Sequence, residues 1–139
     1  MNWFGYAVLS ALAAAATAIL AKVGVESVSS NVATAVRTAV VLLFVATLVI
    51  VRGEYRGIPA ISTRSLMFLL LSGCATGLSW LAYFRALQLG PVSGVAPIDK
   101  LCLPLTVAFA AFFLDEPLSW RLVLGVTLMA AGALLTIRV

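Results

Sequence analysis

The sequence has no histidine, two cysteines, and five acidic residues against nine basic ones. Each scarcity removes a class of chemistry. Without imidazole there is no histidine-based catalytic triad and no histidine metal ligand. Cys74 and Cys102 are far apart in the chain and form neither a Cys-x-x-Cys site nor a secreted-type disulfide framework. Both lie within apolar runs, where a thiol serves as a small packing residue. A Gly-rich phosphate loop, a nucleophile motif with its base, and the carboxylate pair that intramembrane hydrolysis would need are all missing. The sequence therefore predicts no enzymatic activity, no metal and no cofactor. A net charge of +4 would suggest a nucleic-acid partner in a soluble protein. In a chain this apolar the basic residues are topology determinants instead, and no nucleic acid is expected.

What the chain does have is apolar length. Hydrophobic residues make up 63% of it and charged residues 10%, with a mean hydropathy of +1.16. A soluble domain needs more charge than that to cover its surface. The runs Trp3–Ala21, Val32–Val51, Leu66–Leu87, Gly94–Leu114 and Leu118–Ile137 are each about 20 residues long. At about 1.5 Å per residue, each crosses a hydrocarbon core of about 30 Å. The first run is longer than the apolar core of a signal peptide and lacks its basic lead-in. The expected fold class is an all-α membrane protein whose five transmembrane helices form a single unit over residues 1–139. Its first partner is the lipid bilayer.

Short connectors force successive helices to run antiparallel, which places the termini on opposite faces. Face A, that of the N-terminus, carries Arg52, Arg56, Arg64 and Arg121; face B carries Lys22, Arg37, Arg85, Lys100 and Arg138. Setting aside the embedded Arg37, Arg85 and Lys100 tilts the bias toward a cytoplasmic N-terminus. With all nine counted, the balance is near a tie. Such a chain could also insert both ways and pair with its inverted copy.

Polar residues fall on particular helix faces. Trp3, Tyr6, Ser10 and Thr17 share a stripe of the first helix. Ser72, Thr76, Ser79, Trp80 and Tyr83 share an arc of the third about 100° wide. Hydroxyls gain nothing from lipid, so these arcs are expected to face protein or a solute cavity. The small residues, including the Gly73-x-x-x-Gly77 spacing, also suit plain helix packing. Tyr83 also suits an interfacial aromatic belt, whereas Trp80 lies deeper and is the better cavity residue. The fifth helix is nearly apolar all round, with Gly125 and Gly132 on one face, and reads as a lipid or subunit contact.

Embedded ionisable groups are costly and mark function by default. Arg37, Arg85, Asp99 and Lys100 all fall in the half of the membrane nearest face B, where they can form one gate or charge-recognition cluster. Long basic chains can alternatively snorkel to the interface, a route the short Asp99 side chain lacks. Asp99 and Lys100 project about 100° apart on a regular helix and need not pair. Pro97 and Pro104 each remove a backbone donor and free a carbonyl beside that pair, which predicts a kinked fourth helix.

The run Tyr83-Phe84-Arg85-Ala86-Leu87-Gln88-Leu89-Gly90-Pro91-Val92-Ser93 resembles the end of the third helix in EamA-type members of the drug/metabolite transporter superfamily. Pro97-Ile98-Asp99-Lys100-Leu101, Pro104, Leu114-Asp115-Glu116-Pro117-Leu118-Ser119, and Gly125 with Gly132 continue the pattern. The resemblance covers Leu66 to the end; the opening helices match in layout. It implies a single repeat unit of a fold usually found as a fused pair. That in turn implies a homodimer, parallel or antiparallel, enclosing a cavity walled by the first, third and fourth helices. The small multidrug-resistance relatives carry a glutamate in the first helix. This sequence has no acid there, so cation antiport by that chemistry is not expected. The implied function is a secondary transporter, with export the expected direction, of a small metabolite or drug-like solute by alternating access in a prokaryotic cytoplasmic membrane. A lipid-carrier flippase subunit and a non-transporting assembly partner are the alternatives. The expected cavity residues are Ser10, Thr17, Thr76, Trp80 and Tyr83.

Overall fold

A computed structural model describes residues 2–138. Among the described residues there are six α-helices, two 3-10 segments and no strand. They are α1 (Trp3–Gly24), α2 (Ser30–Val51), α3 (Thr63–Leu89), α4 (Val92–Asp99), α5 (Cys102–Phe113) and α6 (Trp120–Leu135). The 3-10 segments are Glu54–Ala60 and Thr136–Arg138. The side chain of Arg138, counted above with face B, lies outside the described residues.

Local chemistry sets most of the helix starts. The first amides of a helix lack intrahelical partners, and short polar side chains at the N-cap supply them. Asn2 Oδ1 accepts from Gly5 N at 3.1 Å, Ser29 Oγ from Val32 N at 3.4 Å, Ser62 Oγ from Ser65 N at 3.1 Å, and Ser119 Oγ from Leu122 N at 3.2 Å. The ends are equally local. After α2, Gly53 takes the left-handed φ of 70°. After α5, Asp115 does so at φ 53°, a conformation that aspartate tolerates better than most residues. Pro117 then blocks resumption of the helix before the Ser119 cap.

The α-helical hydrogen bonding of the expected fourth span is interrupted beside its prolines. Pro104 falls in the first turn of α5, where its missing N–H costs nothing, but its ring crowds the carbonyl four residues back. That carbonyl belongs to Lys100, and it accepts instead from Leu103 N at 3.0 Å. Lys100 N and Leu101 N likewise bond three residues back, to Pro97 and Ile98 carbonyls at 3.1 and 3.0 Å. The α-helix therefore stops at Asp99 and restarts at Cys102. Helix α6 has 16 residues and spans about 24 Å, so the fifth apolar run forms an α-helix shorter than a hydrocarbon core.

The chain forms two compact units, one of α1 up to Ile19 with Leu89 onward, the other of Leu20–Gln88. In the first, α6 packs against both α4 and α5, and α4 also meets the terminal 3-10 turn; Ala133 of α6 is buried there. In the second, the 3-10 segment packs against α2, and the buried residues are Val25, Ser30, Thr34, Phe84 and Leu87. Most large apolar side chains elsewhere are open, such as Phe44 at 70% and Leu70 at 61% exposure. That much contiguous apolar surface is untenable in water but is the ordinary surface of a helix meeting lipid or another subunit.

Candidate functional site

Helix α3 carries the most structured polar feature. At 100° per residue, Thr76, Trp80, Tyr83, Phe84 and Leu87 lie along one stripe. Burial grades along it: Thr76 is exposed, Trp80 and Tyr83 are half-buried, and Phe84 and Leu87 are buried. The rings of Tyr83 and Phe84 meet edge-on, with centroids 6.4 Å apart. From α2, the Arg37 guanidinium sits 4.3 Å from the centroid of the Trp80 ring and 5.5 Å from that of Phe84. Both distances fall within the range of a cation–π contact.

The buried end of the stripe is sealed by the connector between α1 and α2. Leu87 lies in the last turn of α3, where carbonyls lack helical donors. Its oxygen accepts from Lys22 Nζ at 2.6 Å, a cation placed where the helix dipole favours one. The Gln88 amide is fully used. Its Nε2 donates to the carbonyls of Val25 at 3.3 Å and Val28 at 2.7 Å, and its Oε1 accepts from Arg85 at 3.1 Å. An open polar pocket of about 630 Å³ adjoins this seal, lined by Glu26, Ser27, Ser29, Asn31, Arg85 and Gln88 among others.

The remaining expected residues divide between the two units. Arg37, Thr76, Trp80, Tyr83 and Arg85 belong to Leu20–Gln88; Ser10, Thr17, Pro97, Asp99, Lys100 and Pro104 belong to the other. Ser10 is exposed and Thr17 half-buried. Asp99 and Lys100 do pair: Lys100 Nζ lies 2.9 Å from Asp99 Oδ2. Lys100 is the C-cap of α4 and keeps right-handed helical backbone angles, so it is the length of the lysine side chain that lets its ammonium reach the neighbouring carboxylate.

Most threonines of the spans find partners within their own helices. Thr34, Thr38, Thr47, Thr76, Thr106 and Thr127 each donate to the carbonyl four residues back, at 2.8 to 2.9 Å. A threonine satisfied by its own helix needs no cavity, so Thr76 alone says little and the burden falls on the rings. What sequence reasoning missed was the seal. From sequence, Lys22 reads as a topology charge and Gln88 as one residue of a family motif. A glutamine at a helix end, with a serine-rich connector nearby in space, is a signal only once its partners some 60 residues away are known.

The sequence matches the model of the EamA-like transporter family over residues 1–138. The chain belongs to that family. It is also 48% identical, over 134 residues, to an "Uncharacterized transporter in cobO 3'region" from Sinorhizobium sp, covering 96% of this chain and 95% of the relative. No solved structure matches. As an EamA-like transporter the chain is a multi-pass membrane protein, with Trp3–Gly24, Ser30–Val51, Thr63–Leu89 and Val92–Phe113 long and apolar enough to cross. The family assignment therefore reaches the opening helices as well as the motifs after Leu66.

Proposed function

We propose that this transporter works as a homodimer, exporting a small metabolite or drug-like solute across a prokaryotic cytoplasmic membrane by alternating access. The observation that carries the reading is the graded stripe of α3. It is sealed at its face B end by the α1–α2 connector and open from Trp80 toward Thr76. A path closed at one end and open at the other is what an alternating-access cycle requires of each of its end states. The open half has no cover from its own helix pair, and a second copy supplies it. The glycines of the same helix support this: a Cβ added at Gly73 or Gly77 meets nothing within 4 Å among the described residues. Backbone-close helix docking between subunits uses such positions.

The test is reconstitution of purified protein in liposomes loaded with a mixture of polar metabolites, with efflux read by mass spectrometry. At least one solute should leave in a protein-dependent way, and Trp80→Ala should slow it by tenfold or more while Trp3→Ala leaves it within about twofold. Movement of a lipid-linked headgroup alone would move the assignment to a flippase subunit, and no movement of either would leave an assembly partner.

The near tie of basic residues supports dual insertion and an antiparallel pair. Impermeant labelling of single cysteines at Ser27 and Ser65, with Cys74 and Cys102 replaced by serine, checks this. Partial labelling of both positions is the expected result; labelling of one alone excludes it.

A further inference from the structure

Arg37 has an unusual set of partners for a membrane-embedded cation. It lies about 10 Å along α2 from Ser30 and is half-buried. Among the described residues its guanidinium has neither an acidic partner nor a hydrogen-bond acceptor. The described ion pairs are Arg52–Glu54 and Lys100–Asp99. What it meets are the faces of Trp80 and Phe84, at 4.3 and 5.5 Å. The ring quadrupole attracts the charge, and a planar guanidinium is the side chain best shaped to lie over an indole.

This arrangement has a consequence for what Trp80 can bind. An indole face in a partly desolvated wall is a ready seat for a quaternary ammonium or similar cation. Here the seat is filled by the guanidinium of Arg37. A second cation meets both an occupied face and a like charge only a few ångströms away. Meanwhile the N–H donors, which lie in the guanidinium plane, remain available to a carboxylate or phosphonate.

We propose that Arg37 is a tethered cation that closes the Trp80 face to cationic solutes and selects solutes bearing an anionic group. The proposal rests on the reading of the α3 stripe as the solute path. It goes further by naming the residue that sets charge selectivity and the class it rejects. A purely structural staple between α2 and α3 would make a different prediction: losing Arg37 would loosen the helix pair and create no cation site.

The experiment uses full-length protein in detergent with Trp3 and Trp120 changed to Phe, so that Trp80 is the sole tryptophan reporter. Tetraethylammonium and propionate are titrated separately against its emission. With Arg37 present, propionate should perturb Trp80 saturably and tetraethylammonium should not. In R37Q the order should invert, with tetraethylammonium binding at least about tenfold more tightly than in the parent. R37K keeps a tethered charge and should still refuse the cation. Should R37Q fail to fold, R37M, similar in length and apolar, carries the same comparison.

Two results overturn the proposal. One is a tetraethylammonium response in the parent as strong as in the variant. The other is none in a folded R37Q or R37M, as judged by circular dichroism and a monodisperse elution. Absence of any propionate response in the parent removes the anion-selecting half. Because the readout is binding, it stands apart from the liposome assay. An inverted preference without transport would sink the solute-path reading and leave the charge filter intact.

Discussion

The two ends of α3 are built from similar residues and treated in opposite ways. Near its C-terminus, Leu87 is wholly buried, and Lys22, Gln88 and the α1–α2 connector close over it. Near its N-terminus, Leu69, Leu70 and Leu71 are about as hydrophobic, yet all are more than half exposed. The difference is polar. Where backbone carbonyls run out of helical donors, side chains from elsewhere in the chain converge to satisfy them, and apolar packing follows. Where the helix satisfies its own backbone, nothing obliges another segment to approach, and lipid serves as well as protein.

The largest effect is expected at the buried leucine. Leu87→Ala should cost about 2–3 kcal/mol, by loss of packing at a site the connector cannot easily refill. Leu70→Ala should stay within about 0.5 kcal/mol. Thermal unfolding in detergent, followed by circular dichroism, reads both. Equal costs would mean the seal contributes no packing of its own.

Gln88→Leu tests the polar half of the same seal. It strands the carbonyls of Val25 and Val28 and removes the acceptor of Arg85, which should cost about 1–2 kcal/mol. It should also raise hydrogen exchange over residues 25–29 specifically. A variant as stable as the parent, with unchanged exchange there, would show the amide to be incidental.

The smallest effect is expected on the open stretch. Thr76 donates to its own helix at 2.9 Å, so Thr76→Val should change stability by less than about 0.5 kcal/mol. If the open stripe is the solute path, efflux should still fall measurably. An unchanged efflux would confine the path to Trp80 and Tyr83.

Much of the fold was legible because it is decided locally. Asn2, Ser29, Ser62 and Ser119 are cap residues at helix starts, Gly53 and Asp115–Pro117 are stop signals, and Pro104 dictates an interruption near Lys100. The residue at which the α-helix stops beside the prolines is not legible, because it depends on which carbonyls find other donors. The candidate site was legible in part. Trp80 stood out because a bulky amphipathic ring suits neither lipid nor close helix packing. Its pairing with Arg37 did not stand out, since 43 residues separate the two positions and the arginine could as well have snorkelled to the interface.

Apolar length and motif alone make this chain a membrane-spanning helical protein and place it in its family. Apolar length, caps and breakers act over a few residues, and the bilayer enforces helix on every span. Only the tertiary structure decided which leucine is buried, which carbonyls Lys22 and Gln88 satisfy, and that Arg37 rests on aromatic faces instead of an acid. In lipid the hydrophobic effect does not tell one apolar helix face from another, so those choices fall to polar contacts between residues distant in the chain.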